Sequence, residues 1–149
     1  MNESDWVSLG NSLDVDAFVR SAADAIIAAG ADGKIVFWNP AASRIFGFTE
    51  EEALGQSLDL IIPERFRARH WDGYRQVMAS GRSKYQSDVL RVPALHRDGK
   101  TLSIAFTVTL LDAPDGSGRM IAAIVRDETA RWNEERELRR RLAELDKQA

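Results

Sequence analysis

Residues 25–39 read AIIAAGADGKIVFWN, and this stretch decides the fold because it predicts a β-hairpin. Two short apolar runs are separated by ADGK, in which Asp-Gly is a strong signal for a tight turn between strands. Pro40 follows Asn39, and proline cannot continue a strand ladder but suits the first turn of a helix that Asn39 caps. The stretch therefore predicts two antiparallel strands followed directly by a helix.

Two short helices are expected after the hairpin. The first begins at Pro40, continues to Phe46 and ends at Gly47, a residue type that suits the end of a helix. Thr49 opens the run TEEE, a capping box that starts another short helix through Leu54. The chain therefore leaves the sheet after its second strand.

A longer helix is predicted from residue 63 or 64 to residue 79, where the sequence reads PERFRARHWDGYRQVMA. The apolar or aromatic positions that lie three or four residues apart on the same face as His70 are Phe66, Tyr74, Val77 and Met78. The other faces carry arginines and an acidic residue that water can solvate. The pattern places one histidine on the buried face of a long helix.

Three further strands are predicted at residues 85–95, 102–111 and 120–126, with a second Asp-Gly turn between the first two. In the middle strand, apolar residues alternate with smaller or polar ones, which identifies one face of the sheet as the core face. Five strands interrupted after the second by helices imply an α+β fold. We expect a five-stranded antiparallel sheet with short helices on one face.

The two ends of the 149-residue chain predict helices that flank a single domain. Residues 1–22 have the spacing of an amphipathic helical cap, whose apolar stripe packs on the domain or on a second chain. Residues 129–149 are rich in helix formers, and their leucines follow the spacing of a coiled-coil seam. We therefore predict a domain at residues 23–128 between the two helices, and a homodimer formed through both of them.

Charge and hydropathy exclude several classes of partner. A net charge of -3 and a pI of 5.4 give no general attraction for phosphate, which argues against nucleic acid. No apolar run is long enough to span a membrane, and the first residues lack the pattern of a signal peptide. We expect a cytoplasmic protein that does not bind a membrane.

The sequence contains no cysteine, which excludes disulfides, thiolate zinc sites, iron–sulfur clusters, covalent c-type haem and cysteinyl-flavin photochemistry. The remaining candidates for binding iron are His70, His96 and the three methionines, followed by Tyr74 and Tyr85. His96 lies beside a turn, and we expect it to be solvated. His70 is either a core histidine bonded to a carbonyl or a metal ligand. No catalytic constellation is readable, so we do not expect an enzyme.

Four pieces of the chain together resemble the PAS domain family: DAIIAAGADGKIVFWNPAASRIFGFTEEEALGQ, IIPERFRARH, HRDGK and IVRDETARW. They span residues 24–132. The resemblance implies a five-stranded antiparallel sheet with a ligand pocket between the sheet and the long helix. It also implies that the signal leaves through the helix that follows Asp127 and Thr129.

Within that family the long helix is most similar to haem-binding PAS sensors of the FixL type, in which it carries the proximal histidine. Arg67, Arg69, His70 and Tyr74 fall in a similar arrangement, with one extra residue at Trp71. The resemblance implies that His70 binds the iron of b-type haem. It implies a sensor of a diatomic gas (O2, CO or NO) or of redox state.

The resemblance also implies a set of cofactor contacts, namely His70, Tyr74, Tyr85, Leu90, Arg91, Phe106 and Val108. The candidates for pairing with the haem propionates are Arg75, Arg82, Lys84 and Arg91. FixL-type sensors place an arginine over bound oxygen, and ungapped counting puts Leu90 there, with Arg91 one residue later. A shift of one residue sends a strand side chain to the other face of the sheet, so the two residues are alternatives.

Two other functions stay open for a PAS domain with this sequence. One is a cofactor-free module that acts in dimerisation or interaction through its flanking helices. The other is a pocket for a different small ligand, such as a flavin.

Overall fold

The computed structural model describes residues 12–82 and 88–149. The predictions for residues 1–11 and for Lys84 and Tyr85 lie outside these residues. In chain order the elements are α1 (Val15–Ser21), β1 (Ala25–Gly30), β2 (Ile35–Trp38), α2 (Pro40–Phe46), α3 (Glu50–Ala53), a 3₁₀ helix (Leu58–Ile61), α4 (Glu64–Ser80), β3 (Leu90–Leu95), β4 (Thr101–Asp112), β5 (Arg119–Asp127) and α5 (Thr129–Gln148).

The five strands form one antiparallel sheet in the order β2-β1-β5-β4-β3. This confirms the predicted α+β fold. Most boundaries lie within one or two residues of the prediction, and α4 ends one residue later, at Ser80. The third strand is an exception, because Asp88 and Val89 precede β3 and do not belong to it.

One face of the sheet, the inner face, carries the core. Ala25, Val125, Phe106 and Leu90 lie opposite one another across β1, β5, β4 and β3, so they share this face. Helices α2 and α3 and the 3₁₀ helix pack against it. They contribute side chains to the same core cluster as the inner-face residues, among them Phe46 from α2. Of the alternating apolar positions in β4, Ile104 belongs to this core cluster, and Leu102 and Phe106 pack against it.

Asn39 is the polar centre of this core and is fully buried. Its Oδ1 accepts hydrogen bonds from the N–H groups of Ile26 (2.9 Å) and Ala42 (3.0 Å). Its Nδ2 donates to the carbonyls of Val19 (3.0 Å) and Asp24 (3.2 Å). Asn39 therefore caps α2, as the sequence predicted, and it also ties α1 to β1.

Helix α5 begins at a hydrogen-bonded junction with the sheet. The Thr129 hydroxyl accepts from the Ser103 N–H of β4 (3.0 Å) and donates to the Asp127 carboxylate (2.5 Å). The Glu128 N–H donates to the Ser103 carbonyl (2.8 Å). These bonds fix the direction in which α5 leaves the domain.

The flanking helices expose apolar side chains. Phe18 of α1 and Leu142 of α5 are each 62% exposed. Within residues 12–82 and 88–149, no helix has both the length and the apolar character needed to cross a membrane.

Candidate functional site

The candidate site centres on His70, whose half-buried imidazole lies in the first half of α4. Its Nδ1 atom is buried and has no hydrogen-bond partner among the described residues. Burial lowers the pKa of the imidazole, and the Asp59 carboxylate opposes this shift only in part. His70 is therefore neutral at pH 7, the form in which one ring nitrogen keeps a free lone pair.

Two aromatic side chains of α4 contact the His70 ring. The ring centroids of Trp71 and Tyr74 lie 4.6 Å and 5.6 Å from the imidazole centroid. The buried Tyr74 hydroxyl donates to the Gly30 carbonyl at the end of β1 (2.5 Å). Burial raises the pKa of Tyr74, so this hydroxyl keeps its proton. Tyr74 thus lies beside His70 and holds α4 against the hairpin.

Trp71 fixes α4 at the turn of the β1–β2 hairpin. Its indole N–H donates to the Asp59 carboxylate (2.8 Å). Its ring lies so close to Gly33 that a Cβ on this glycine, which has φ +77°, would lie 2.3 Å from the ring carbons. Trp71 is therefore an anchor between the helix and the hairpin.

Arg67 holds the beginning of α4, where no side chain caps the helix. Its guanidinium donates to the carbonyls of Ile62 (3.0 Å) and Asp59 (3.2 Å) in the segment before the helix. Together with Trp71 and Tyr74, it fixes the backbone on both sides of His70.

Leu90, Phe106 and Val108 lie together on the inner face of the sheet. Leu90 of β3 pairs with Phe106 of β4, and Val108 follows two residues later on the same face. All three are half-buried. The structure therefore brings these three predicted contacts together as an apolar surface on the face that carries the core.

Arg91 lies on the opposite face. It pairs with Ala105, and its Nε lies 3.7 Å from a carboxylate oxygen of Glu128 at the start of α5. Strand alternation therefore places Leu90, and not Arg91, on the inner face.

Of the predicted propionate partners, Arg75, Arg82 and Arg91 lie in the part of the chain that the structure describes. Arg75 is exposed and forms an ion pair with Asp72 (2.7 Å) on the same helix. Arg82 is exposed just after the end of α4. Neither makes a described contact with the inner face.

His96 differs from the sequence expectation of a solvated residue, because it is half-buried. Its ring packs on Gly47, where an added Cβ would lie 2.7 Å from Cε1. Its Nδ1 accepts a hydrogen bond from the Asp98 N–H (3.1 Å). His96 therefore closes the contact between the β3–β4 turn and α2.

Two surface cavities lie at the ends of α4. One, of about 510 Å³, is lined by Ala31, Met78, Asp112, Ala113, Gly116, Gly118 and Arg119. The other, of about 540 Å³, is lined by Pro63, Glu64, Arg65 and Thr101. Neither is lined by His70. Within the described ranges, no cluster of three or more His, Cys, Asp or Glu side chains is arranged to hold a metal ion.

A sequence model of the family described as the PAS fold matches residues 13–127, more than half of the chain. The chain belongs to the PAS family. PAS domains are in general sensory or binding modules.

The curated proteins that are similar to this PAS domain include the following three. An uncharacterised protein of Azorhizobium caulinodans is 34% identical over 125 residues, 83% of this chain and 17% of that protein. The sensor protein FixL of Bradyrhizobium diazoefficiens is 31% identical over 123 residues (82% and 23%). The oxygen sensor protein DosP of Escherichia coli is 24% identical over 114 residues (76% and 14%). The chain thus spans less than a quarter of the length of each.

Solved structures share the fold. The PAS domain of a Colwellia psychrerythraea protein superposes with a TM-score of 0.66 at 18% identity, covering 78% of this chain and 95% of that one. At this identity the likeness supports the architecture of the PAS domain and no particular ligand.

Proposed function

We propose that this PAS domain is a sensory module that binds b-type haem through His70 and passes its signal to the flanking helices. The observation that carries the proposal is the buried Nδ1 of a neutral imidazole that has no partner among the described residues. A buried polar atom without a hydrogen bond costs about 1–3 kcal/mol, so a ligand that engages Nδ1 itself recovers stability. The similarity to FixL and DosP, two proteins named as sensors, supports the same function.

The residues fit a prosthetic group better than a free metal ion. Haem, when bound, supplies four nitrogen ligands and an iron that binds a diatomic gas or changes its redox state, so one protein ligand is sufficient. His70 supplies that ligand, and its second ring nitrogen is free to donate a hydrogen bond that sets the ring orientation. Leu90, Phe106 and Val108 supply apolar contacts that exclude water.

Leu90 on the inner face also bears on which gas is preferred. A leucine provides no hydrogen-bond donor, and no charge, to stabilise a polar gas ligand. We therefore expect CO or NO to bind better relative to O2 than in a domain with an arginine at this position. Measuring O2 and CO affinities of the haem-loaded protein and of Leu90→Arg tests this. A ratio that stays unchanged in the variant contradicts it.

The test of the haem proposal is optical. Purified protein reconstituted with haemin is expected to show a Soret band, which is lost in His70→Ala and retained in His96→Ala, the matched control. A protein that remains colourless with haemin, or a band that survives in His70→Ala, contradicts the proposal.

A cofactor-free dimerisation module is the second candidate, favoured by the exposed apolar residues of α1 and α5. Leu138, Leu142 and Leu145 lie along one side of α5 at the heptad spacing of a coiled-coil seam. If haem does not bind, dimerisation through this surface is the main function that we propose for the described residues. Flavin titration of the same sample tests the remaining alternative, a pocket for another small ligand.

The charges beside this seam suit a parallel pair of α5 helices. With Leu138 and Leu145 at d positions, Glu134 and Arg141 occupy g positions, whereas Arg139 and Asp146 occupy e positions. A g residue faces the e residue of the following heptad in the partner helix, so both interhelical pairs have opposite charges. We infer a parallel homodimer, which sedimentation of the protein and of Leu142→Asp tests.

We expect neither catalytic activity nor a membrane location, and a cytoplasmic location stays a prediction.

A further inference from the structure

Arg119, the first residue of β5, reaches across to the C-terminal end of α4. Its Nη1 donates to the Met78 carbonyl and also, at 3.4 Å, to the Ala79 carbonyl. Arg119 and Met78 lie 41 positions apart in the sequence. A side chain of the sheet therefore satisfies carbonyl groups that the end of a helix leaves without intrahelical partners.

Gly81 makes room for this contact. It ends α4 in the left-handed conformation, with φ +70°, and its N–H donates to the Val77 carbonyl (2.9 Å). A Cβ at this position would lie 2.7 Å from Nη2 of Arg119. Glycine is thus favoured here both by its backbone angle and by the guanidinium that lies against it.

Electrostatics favour the same arrangement. The C-terminus of a helix carries a partial negative charge, which a cation stabilises. The last turn of α4 has no basic residue of its own, whereas α5 has Lys147 in its last turn. Arg119 supplies the missing cation from another element of the fold.

The strand that carries Arg119 also reaches the start of α5. It pairs with β4 along its nine residues, a length of about 30 Å, and with β1 from Met120 to Val125, and it ends at Asp127. The Asp127 carboxylate accepts from the Thr129 N–H (2.9 Å) at the beginning of α5. One strand, hydrogen-bonded on both sides, therefore contacts the end of α4 with its first residue and the start of α5 with its last.

We propose that Arg119 is a positioning residue that holds the C-terminal end of α4 on β5, so that movement of the helix carrying His70 is transmitted along β5 to α5. The inference rests on the proposed signalling through α5, but the contacts lie within the chain and do not depend on haem binding. It assigns to Arg119 the role of a mechanical link between the site and the helix through which the domain signals.

Amide hydrogen exchange on the full chain tests the link. In Arg119→Gln, loss of a charged donor is expected to speed exchange at residues 77–81 by about tenfold or more. Residues near Arg67, at the other end of α4, are expected to change much less. Exchange of the Thr129 amide should also become faster, and Arg119→Lys should restore part of the protection. Unchanged exchange at residues 77–81 overturns the first half of the proposal, and an unchanged Thr129 amide overturns the transmission.

A glycine pair keeps the proposal testable even if Arg119→Gln does not fold. Gly81→Ala and Gly55→Ala introduce similar backbone strain, since the two φ angles are +70° and +82°, but nothing lies within 4 Å of a Cβ on Gly55. We expect Gly81→Ala to speed exchange at residues 77–80 severalfold more than Gly55→Ala speeds exchange around residue 55. When Gly81→Ala is combined with Arg119→Lys, the difference between the effects of the two alanine substitutions on exchange is expected to become smaller. Equal effects of the two alanines overturn the proposal.

Discussion

Two regions of the inner face differ in how tightly they are packed. Trp38 and Phe46, near β1 and β2, are 1% and 0% exposed, and Trp38 also donates a hydrogen bond to the Phe48 carbonyl (3.1 Å). Phe106 and Val108 of β4 belong to the same face but are only half-buried. The first region, the packed region, stabilises the domain. The second, the site region, is left incompletely covered by the described residues and is where we propose that a ligand binds.

The largest expected effect separates the two regions with the same substitution. Phe46→Ala removes a fully buried ring and is expected to lower the free energy of unfolding by about 3–5 kcal/mol. Phe106→Ala removes a half-buried ring and is expected to lower it by about 1–2 kcal/mol. Urea unfolding of both variants measures the difference. Equal losses would mean that the site region is packed as tightly as the core.

The next effect concerns the anchor between α4 and the hairpin. Gly33→Ala places a methyl group against the Trp71 ring at a positive φ and is expected to lower stability by about 1–3 kcal/mol. Gly99→Ala is the matched control, because its φ is +89° and nothing lies within 4 Å of a Cβ. Thermal unfolding of the two variants should show the larger loss for Gly33→Ala. If the control loses as much, Trp71 is not an anchor.

A substitution in the site region is expected to act in the opposite direction. His70→Leu removes the buried Nδ1 that lacks a partner, and should raise the stability of the haem-free protein by about 1 kcal/mol. The same variant should lose haem binding, which is the trade-off expected when a residue is kept for function. Urea unfolding without haem measures the gain. A loss of stability would show that His70 is a satisfied core residue.

The smallest effect is a pH dependence beside the packed region. The Thr49 N–H and the Arg97 guanidinium lower the pKa of the Glu52 carboxylate. Because the folded pKa lies below the unfolded value, this contribution is present above the unfolded pKa and is lost as the pH falls through the folded pKa. Glu52→Gln should therefore make the free energy of unfolding fall slightly less steeply with decreasing pH below about pH 4.5. The rest of the pH curve should keep its shape. Identical acid unfolding of variant and parent contradicts this.

Local signals made much of the fold predictable. Asn39-Pro40, the Asp-Gly turns and the TEEE capping box each act on neighbouring residues, and the structure has strands, caps and helices where they indicated. Strand alternation also separated Leu90 from Arg91 once the register was known. These features depend on a few adjacent residues, so sequence alone carries them.

The contacts around the site depend on tertiary placement. Tyr74 forms a hydrogen bond with Gly30, 44 positions away, and Arg119 forms one with Met78, 41 positions away. No local sequence pattern predicts either pair. The partners of Trp71 could not be identified from the sequence for the same reason, although a glycine at position 33 and an acid at position 59 were visible. His96 was expected in solvent because the sequence showed its turn but not the helix that covers it.

The hydrogen bonds of Thr129 to Ser103 and Asp127 have a consequence for how this domain combines with others. They set the rotational phase of α5, and every residue added to a helix rotates the downstream chain by about 100°. A domain joined through this helix inherits its angular position from β4 and β5. Inserting seven residues in the connection returns the joined domain to within about 20° of its original angle, whereas a single residue points it elsewhere. The number of residues between this domain and a fused partner therefore determines the orientation of the partner as well as its distance.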